Sequence, residues 1–284
     1  MTVVTRFAPS PTGLLHLGSA YSALFTEQCA REAAGRFLLR IEDIDEERCR
    51  KEYDIALLED LAWLGLTWEE PVRRQSEHFE AYRRAVTKLD SMQLLYPCFC
   101  SRKEIRAEIR AAGHAPHAAP SGPEGPLYPG TCRHLDPVER RDRLEQSIPY
   151  VLRLDSQRAV ERTGPLTWHD RLKGDQEMSL DKLGDVVLTR KGSPTSYHLS
   201  VTVDDHLQGV TLVTRGEDLF AVTSLHRLLQ ALLDYQTPAY HHHPLMTNDQ
   251  GERFSKRDNS LAIRTLREMG KTPQQVRDMA NARI

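Results

Sequence analysis

The sequence predicts an α/β fold, and three observations carry that prediction. Short runs rich in β-branched and aromatic residues alternate along the chain with longer runs whose apolar residues recur at helical spacing. The opening segment 2–19 passes from such a short run, through a turn rich in Pro and Gly, into the start of a helix. The alternation breaks off at 96–134 and then resumes. Strands and helices that alternate in this way are typical of a mostly parallel sheet covered by helices.

The first half of the chain predicts a regular series of elements. Residues 2–7 favour a strand that prolines end, and residues 16–34 favour a helix that stops at Gly35. The next predicted elements are a strand at 36–41, a helix at 52–64 and a helix that Ser76 caps, with Phe79, Tyr82, Val86 and Leu89 at helical spacing. We expect the aromatic residues of this last helix to belong to the core and not to stack on bases.

The second half begins with an interruption of the pattern. Residues 96–134 contain a cysteine pair, a short basic helix and a loop dense in Ala, Pro, Gly and His, which favours an insertion between two halves of one sheet. The elements predicted after it are strands at 150–154 and 185–189, a helix at 196–207, a strand at 210–214, a helix at 219–233 and short helices in the last 25 or so residues. The predicted domains are the first half of the α/β domain at 1–95, the insertion at 96–150, the second half at 151–257 and a short helical segment at 258–284.

The opening segment places a helix start just beyond the carboxyl end of a strand. Ligands of open α/β sheets bind at that edge, and the free backbone N–H groups and positive dipole end of a helix favour phosphate there. The sequence therefore predicts a nucleotide or phosphate site close to His16.

Composition limits the classes of function. The chain has 284 residues, 39% of them hydrophobic and 27% charged, which is enough for a sizeable core. No apolar run approaches the ~20 residues that a membrane-spanning helix needs, and the N-terminus does not resemble a signal sequence. We therefore expect a cytoplasmic protein that has no membrane partner. The five cysteines suit a reducing compartment.

The net charge gives no support for nucleic-acid binding over the whole surface. It is -2 at pH 7, so any such surface must be local. The candidate basic clusters lie at 102–110, 140–143 and 253–257, and each also fits an ordinary solvated helix face or loop.

Four motifs, in order along the chain, resemble those of the class I aminoacyl-tRNA synthetases, and of their glutamyl branch in particular. His16-Leu17-Gly18-Ser19 stands where that family has its HIGH motif, and residues 253–257 stand where it has the KMSKS loop. Residues 36–45 and 215–219 match two further signatures of the glutamyl branch. The resemblance implies a Rossmann-like catalytic domain with a zinc-containing insertion and a short helical C-terminal segment. Ser19 and Arg253 depart from the family pattern. Ser19 stands in place of a histidine and removes an imidazole, whereas Arg253 stands in place of a lysine and keeps the positive charge.

The resemblance also implies a substrate pocket. The residues it assigns to glutamate are Arg6, Ala8, Ser10, Glu42, Tyr197 and Arg215, and those it assigns to ATP, which binds with Mg²⁺, are His16, Gly18, Ser255 and Lys256. His16 and Lys256 are catalytic in the sense that they stabilise phosphate charge. Arginines suit the two carboxylates of glutamate, and Glu42 suits its ammonium group. For Arg40, Asp43 and Asp45 we favour a scaffold ion network instead.

The cysteines at 98, 100 and 132 fit either a zinc site or buried thiols without a metal, and the family resemblance implies one structural zinc ion per chain. Zinc binds thiolates tetrahedrally, so three cysteines need a fourth ligand. The family resemblance implies Tyr128, and His114, His117 and His134 are chemically more ordinary alternatives. The remaining cysteines, Cys29 and Cys49, lie on predicted helices and are expected to pack in the core. The histidines at 241–243 predict a surface strand.

Only about 27 residues follow Arg257, so we expect no separate anticodon-reading domain after the KMSKS loop. In this respect and in its Cys-x-Cys insertion, the chain resembles the subgroup that attaches glutamate to queuosine in the anticodon of tRNA(Asp). The partners implied are L-glutamate, ATP and queuosine-containing tRNA(Asp), with the chain acting as a monomer. Two alternatives stay open at this point: ordinary charging of a tRNA 3' end, and a non-catalytic RNA-binding relic of a synthetase.

Overall fold

The computed structural model of the chain describes residues 2–111, 121–122, 125–181, 183–246 and 262–281. Within these ranges the α-helices are α1 (Leu17–Glu32), α2 (Lys51–Trp63), α3 (Phe79–Ser91), α4 (Arg102–Ala111), α5 (Pro137–Glu145), α6 (Ser156–Thr163), α7 (Tyr197–Leu207), α8 (Thr223–Leu233), α9 (Ile263–Glu268) and α10 (Pro273–Asn281). The strands are β1 (Val4–Phe7), β2 (Arg36–Ile41), β3 (Glu69–Arg74), β4 (Leu95–Cys98), β5 (Ser121–Gly122), β6 (Gly125–Pro126), β7 (Val151–Leu154), β8 (Thr167–Asp170), β9 (Gly174–Glu177), β10 (Leu212–Gly216) and β11 (Ala239–His243). Short 3-10 helices occupy Gln75–His78 and Glu217–Leu219.

The strands confirm the α/β prediction. β1, β2 and β3 form a parallel sheet in that order, and β10, β11 and β8 form a second parallel group to which β9 adds an antiparallel edge. β1 lies beside β10, because the backbone N–H of Thr211 donates to the carbonyl of Val4 at 3.0 Å. The chain thus reverses its winding direction between β1 and β10, which is where open α/β sheets bind ligands.

A side chain replaces the backbone ladder further along this pair of strands. Arg6 Nη1 donates to the carbonyl oxygen of Thr214 at 3.2 Å, and the Thr214 hydroxyl lies 2.7 Å from that of Thr26 on α1. The carboxyl ends of β1 and β10 are therefore bridged by a guanidinium and line the cavity described below.

The core consists of apolar clusters on both sides of the strands. One cluster joins α1, β2 and α2 with the C-terminal helices, and includes Leu17, Ile41, Leu57 and Ile263. A second joins α3, α7 and α8 around Tyr82, which is fully buried, so the prediction that the aromatic residue at 82 belongs to the core is confirmed.

The first helix ends where the sequence predicts. Ala34 adopts a positive φ of 48°, and the backbone then turns into β2 at Gly35. A Cβ at Gly35 would lie 2.2 Å from the carbonyl oxygen of Val3, so the close approach of two backbone segments requires glycine there.

The interrupted region is bracketed by an antiparallel strand pair. β4 pairs with β7, and α4, α5 and the β5–β6 pair lie between them in the chain. Its small core contains Tyr96, Phe99 and two of the cysteines.

Several sequence predictions need correction. Residues 185–189 do not form a regular strand. They form an irregular segment that makes separate backbone hydrogen bonds with β7, and Val187 makes only an isolated bridge with Arg153. Ser76 is not the cap of α3, because it lies inside the preceding 3-10 helix and its hydroxyl donates to Asp43 at 2.6 Å. Cys49 is half-buried in the turn before α2 and is not on a helix.

The strand predicted at 241–243 is confirmed as part of β11, but its predicted surface position is wrong. β11 lies inside its sheet, between β10 and β8, and His242 and His243 are buried. Burial is possible because both imidazoles have partners: Asp170 for His242 at 2.7 Å, and the Ser22 hydroxyl for His243 at 3.1 Å. Among the described residues, no helix combines the length and the apolar character that crossing a membrane requires.

Candidate active site

A cavity of about 310 Å³ opens at the carboxyl ends of β1, β2 and β10, beside the N-terminus of α1. It brings together every predicted glutamate and ATP residue that lies in the described part of the chain. These residues are Arg6, Ala8, Ser10, His16, Gly18, Glu42, Tyr197 and Arg215. Ser255 and Lys256, together with Arg253, lie outside the described residues.

Arg6 and Arg40 share one carboxylate beneath the cavity. Arg6 Nε donates to Asp205 Oδ1 at 2.9 Å, and Arg40 Nη1 donates to the same oxygen at 2.7 Å. Arg40 is fully buried, and it also donates from Nη1 to Gln208 Oε1 at 3.1 Å and from Nη2 to Glu42 Oε1 at 3.2 Å. The expected scaffold role of Arg40 agrees with this geometry, whereas Arg6 reaches the cavity wall as well.

The two other residues that we expected in a scaffold network make contacts separate from Asp205. Asp43 accepts from the backbone N–H and the hydroxyl of Ser76. Asp45 forms ion pairs with Arg48, whose side chain is largely exposed, and with Arg190 at 3.8 Å.

The ion network next to the cavity is balanced. Arg6, Arg40 and Arg73 face the carboxylates of Glu42, Asp204 and Asp205. Burial raises the pKa of Glu42, although the neighbouring Arg40 and Arg6 oppose the shift. Burial acts in the same direction on Asp205, but there the two arginines prevail and the pKa is lowered. Both carboxylates therefore depend on these arginines for their charge.

Arg215 differs from the other arginines because its direct partners are neutral. Its Nε lies 3.1 Å from His242 Nε2, its Nη1 lies 3.0 Å from His226 Nδ1, and its Nη2 donates to the Thr223 hydroxyl at 2.6 Å. The residue is only 6% exposed, and among the described residues it forms no ion pair with a carboxylate. A buried cation whose partners are all neutral favours an anionic ligand, since burial of an uncompensated charge is costly.

The α1 side of the cavity has features that suit a nucleotide. His16 is the N-cap residue of α1 in an extended conformation, and a Cβ at Gly18 would lie 3.0 Å from the His16 ring. Gly216, at the opposite wall, has similarly little room, since a Cβ there would lie 2.6 Å from Asp218 Oδ1. Glycine therefore suits both positions, because a side chain there would meet the His16 ring or the Asp218 carboxylate.

The described residues on both sides of segment 247–261, which contains Ser255 and Lys256, lie close to this cavity. Met246, the last described residue before it, lines the cavity. Ala262, the first after it, makes a β-bridge with His16, and Ile263 donates to the carbonyl of Leu15 at 2.8 Å. Both ends of the segment 247–261 are therefore next to the predicted phosphate site.

A separate cluster of thiols lies in the interrupted region. The sulfur atoms of Cys98, Cys100 and Cys132 all lie within 4.8 Å of one another, and Cys100 and Cys132 are 3.4 Å apart. Hydrogen bonding, first of all from Cys98, lowers the pKa of Cys132. The same hydrogen bond, together with burial, raises the pKa of Cys98.

Tyr128 completes this cluster, as the family resemblance implies. Its hydroxyl lies 3.4 Å from Cys98 Sγ and 3.6 Å from Cys100 Sγ. A tetrahedral zinc with bonds of about 2.3 Å to sulfur and about 2.0 Å to oxygen would separate its S and O ligands by about 3.5 Å. The arrangement of these residues therefore fits zinc. His134 is exposed and its imidazole contacts Arg133 instead, while His114 and His117 lie outside the described residues.

Several residues that the sequence analysis missed support this site. Asp204 and Asp205 form an acidic pair on the largely buried helix α7, and this pair was the available signal for a buried ionic role. His226, His242 and Asp170 carried no such signal, because their spacing in sequence resembles no motif.

A family model for the catalytic domain of class I tRNA synthetases (E and Q) matches residues 2–283. A glutamyl-Q tRNA(Asp) synthetase of Rhodobacter capsulatus is 47% identical over 283 residues, which cover 97% of this chain and 98% of that protein. A glutamate–tRNA ligase of Aquifex aeolicus is 41% identical over 96% of this chain, but the match spans only 55% of that ligase.

Solved structures show the same likeness. The crystal structure of a glutamate-tRNA synthetase from Elizabethkingia anophelis superposes with a TM-score of 0.77 at 30% identity, covering 92% of this chain and 54% of that one. A glutamate tRNA ligase from Elizabethkingia meningosepticum, solved in complex with its amino acid, gives a TM-score of 0.75 at 30% identity, with 92% of this chain and 53% of that one covered.

Proposed function

Because this chain belongs to the family of class I tRNA synthetases for glutamate and glutamine, we propose that it activates L-glutamate with ATP and transfers the glutamyl group to queuosine in tRNA(Asp). The observation that carries the proposal is the convergence of Arg6, Glu42 and Arg215 on one cavity at the N-terminus of α1. The near full-length match to a glutamyl-Q tRNA(Asp) synthetase supports the choice of acceptor.

The charges of the cavity complement those of glutamate. Among the residues that line the cavity, Arg6 and Arg215 are positive, and Glu42 and Asp218 are negative. Free glutamate carries two carboxylates and one ammonium group, and therefore one net negative charge at pH 7. Arg6 and Arg215 can bind the carboxylates through paired N–H donors, Glu42 accepts from the ammonium group, and Ala8, Ser10 and Tyr197 line the space between them.

In the activation step, an oxygen of the glutamate carboxylate attacks the α-phosphorus of ATP in line, and pyrophosphate leaves. The transition state carries extra charge on the phosphates, so the protein has to supply positioning and positive potential. His16, Gly18 and the start of α1 supply them on one side. We assign Ser255 and Lys256 to the opposite side, on family resemblance and because both ends of their loop reach the cavity. Mg²⁺ enters with ATP.

In the transfer step, a hydroxyl of the queuosine ring attacks the carbonyl of glutamyl adenylate, an ester bond forms and AMP leaves. The mixed anhydride is already activated, so no nucleophile of the protein is needed. The contribution of the site is orientation of the two reacting groups.

We assign one structural zinc ion to Cys98, Cys100, Tyr128 and Cys132. When bound, zinc would replace the thiol hydrogen bonds with metal bonds and hold β4 to the turn that carries Cys132. Arg153 lies 3.9 Å from the centre of the Tyr128 ring, which stabilises negative charge on the tyrosine oxygen. The protein would fill all four coordination positions of the zinc. No position would remain for water or substrate, which is typical of a structural site and not of a catalytic one.

The test is to follow both steps with radiolabelled substrates. We expect pyrophosphate exchange with ATP that depends on glutamate, and digestion of the charged RNA to nucleosides should yield queuosine whose mass is increased by one glutamyl group. Exchange that is absent with glutamate would favour an RNA-binding relic without catalysis.

The similarity to glutamate–tRNA ligases supports one alternative, which is charging of the terminal ribose of a tRNA. Periodate oxidation of the tRNA does not by itself distinguish the two acceptor sites, because the 3'-terminal ribose and the queuosine ring both contain a cis-diol. Nucleoside analysis is therefore decisive: label found on the 3'-terminal adenosine of tRNA(Glu), with none on queuosine, would establish the alternative and refute our assignment.

A further inference from the structure

Behind Arg215 lies a layer of buried polar groups that the reaction does not touch. Asp170 at the end of β8 and His242 on β11 are both completely buried, and Asp170 Oδ2 lies 2.7 Å from His242 Nδ1. The opposite ring nitrogen, Nε2, lies 3.1 Å from Arg215 Nε. The imidazole is thus held between a carboxylate and a guanidinium.

The protonation of this imidazole follows from its two partners. An arginine has only donors, so His242 Nε2 must present its lone pair to Arg215. The ring proton is therefore on Nδ1, from which it is donated to Asp170. A second imidazole shows the same arrangement: His226 Nδ1 accepts from Arg215, and its Nε2 lies 3.0 Å from His198 Nδ1.

Asp170 can impose this tautomer because all its neighbours are donors. Its Oδ1 accepts from the backbone N–H groups of Leu172 and Lys173 at 2.9 Å each, and its Oδ2 accepts from the backbone N–H of His242 as well as from the ring. The two oxygens of a carboxylate both accept and can together satisfy these four donors, whereas a side-chain amide has one accepting oxygen and one donating NH₂ group. An asparagine at 170 would therefore direct an NH₂ group at a donor in either orientation.

We infer that Asp170 is a positioning residue for substrate binding: it fixes the Nδ1–H tautomer of His242, and the bare Nε2 then holds the Arg215 guanidinium in place to receive a carboxylate of glutamate. This inference rests on the proposed function for its substrate, but its structural half, the tautomer, does not. Burial, together with the nearby Arg215, lowers the pKa of His242 to about 4, in agreement with a neutral ring at physiological pH.

The first experiment measures the tautomer without any substrate. Long-range ¹H–¹⁵N correlation spectra of ¹⁵N-histidine-labelled protein distinguish protonated from bare ring nitrogens, and His242→Gln identifies the signals. We expect His242 to carry its proton on Nδ1 in the unaltered chain. A proton on Nε2 there would overturn the inference, whatever the enzyme catalyses.

The second experiment measures glutamate-dependent pyrophosphate exchange. Asp170→Asn should raise the KM for glutamate about 10- to 100-fold, as loss of an outer-shell partner does elsewhere, with the KM for ATP little changed. The matched control is Asp175→Asn, because Asp175 also contacts a histidine, His169, at 2.7 Å, but both side chains are exposed. The control should keep the parent KM, and a glutamate KM for Asp170→Asn that equals the control value would refute the inference.

A double variant separates positioning from simple support of the fold. Gln at position 242 places an amide oxygen near the site of Nε2, so His242→Gln keeps an acceptor for Arg215 without needing a tautomer. In that background, Asp170→Asn should have little further effect on the KM for glutamate. If the loss is equally large in both backgrounds, Asp170 acts through the backbone of residues 172–173 and our inference is wrong. If the parent chain shows no glutamate-dependent exchange, the proposed function fails, while the spectroscopic test still decides the tautomer.

Discussion

Replacement of Asp205 by asparagine tests how much of the fold depends on the network under the cavity. Asp205 accepts from Arg6 Nε at 2.9 Å, from Arg6 Nη2 at 3.4 Å and from Arg40 Nη1 at 2.7 Å. The Asp205 side chain is 9% exposed and that of Arg40 is fully buried. Asp205→Asn would leave the three arginines of the network facing two carboxylates in a region from which water is largely excluded.

The expected cost follows from that imbalance. Removing one partner of a buried ion pair typically costs about 3–5 kcal/mol, because the remaining charge is left uncompensated. With a urea dependence of about 3 kcal/mol per molar, the unfolding midpoint should fall by roughly 1 to 1.7 M. The low pKa of Asp205 gives the sign of the pH dependence: its contribution is present above the ordinary aspartate pKa of 3.8 and is lost as the pH falls through the lowered value.

Urea unfolding followed by circular dichroism at pH 7 is the assay, and Glu69→Gln is the control. Glu69 forms a bidentate pair with Arg36 at 2.6 and 2.7 Å, which is at least as short as the Asp205 contacts, but both side chains are about half exposed. We expect its midpoint to stay close to the parent value because solvent screens the pair. Equal midpoints for the two variants would refute the argument that burial, and not contact distance, determines the cost.

The remaining predictions concern the substrate pocket and the thiol cluster. Arg215→Ala should raise the KM for glutamate by an amount equivalent to roughly 1.5–3 kcal/mol, about 10- to 150-fold, with the ATP dependence of exchange as the internal check. Because burial raises the pKa of Glu42 above its usual 4.5, kcat/KM for glutamate should decline as the pH falls through that raised value, and a pH profile of Glu42→Gln should lack this decline. Cys98→Ser should lower zinc content, measured by mass spectrometry of the metal, together with the thermal midpoint; full zinc in that variant would contradict the ligand assignment.

The sequence predicts best the elements in which local signals agree with the tertiary structure. The first strand, α1 and β2 are apolar where they pack, and Gly35 marks the helix end because only glycine tolerates the carbonyl of Val3 so near. By contrast, β3 and β9 were not predicted, since an edge strand exposes one side to water and their residues are mostly polar.

The candidate site divides in the same way. The residues that we assign to the substrates were predicted because their motifs resemble those of a known family. The groups that hold them were not, because Asp170 and His242 are 72 positions apart and only the pairing of β8 with β11 brings them together. The position of the histidine run was misinterpreted for a related reason: histidine is neither typically buried nor typically exposed, and a pattern cannot show that each imidazole will find a buried partner.

Arg6 both connects two strands of the fold and lines the cavity. Its guanidinium donates to the Thr214 carbonyl and so joins β1 to β10. Replacement of Arg6 would therefore disturb the packing of these two strands as well as substrate binding. Within the described part of the chain, the hydrogen bonds of the Arg215 guanidinium go to side chains and not to the backbone. Substitutions that change the amino-acid specificity of the pocket, whether engineered or natural, should therefore be tolerated better at position 215 and at the imidazoles that contact it than at position 6.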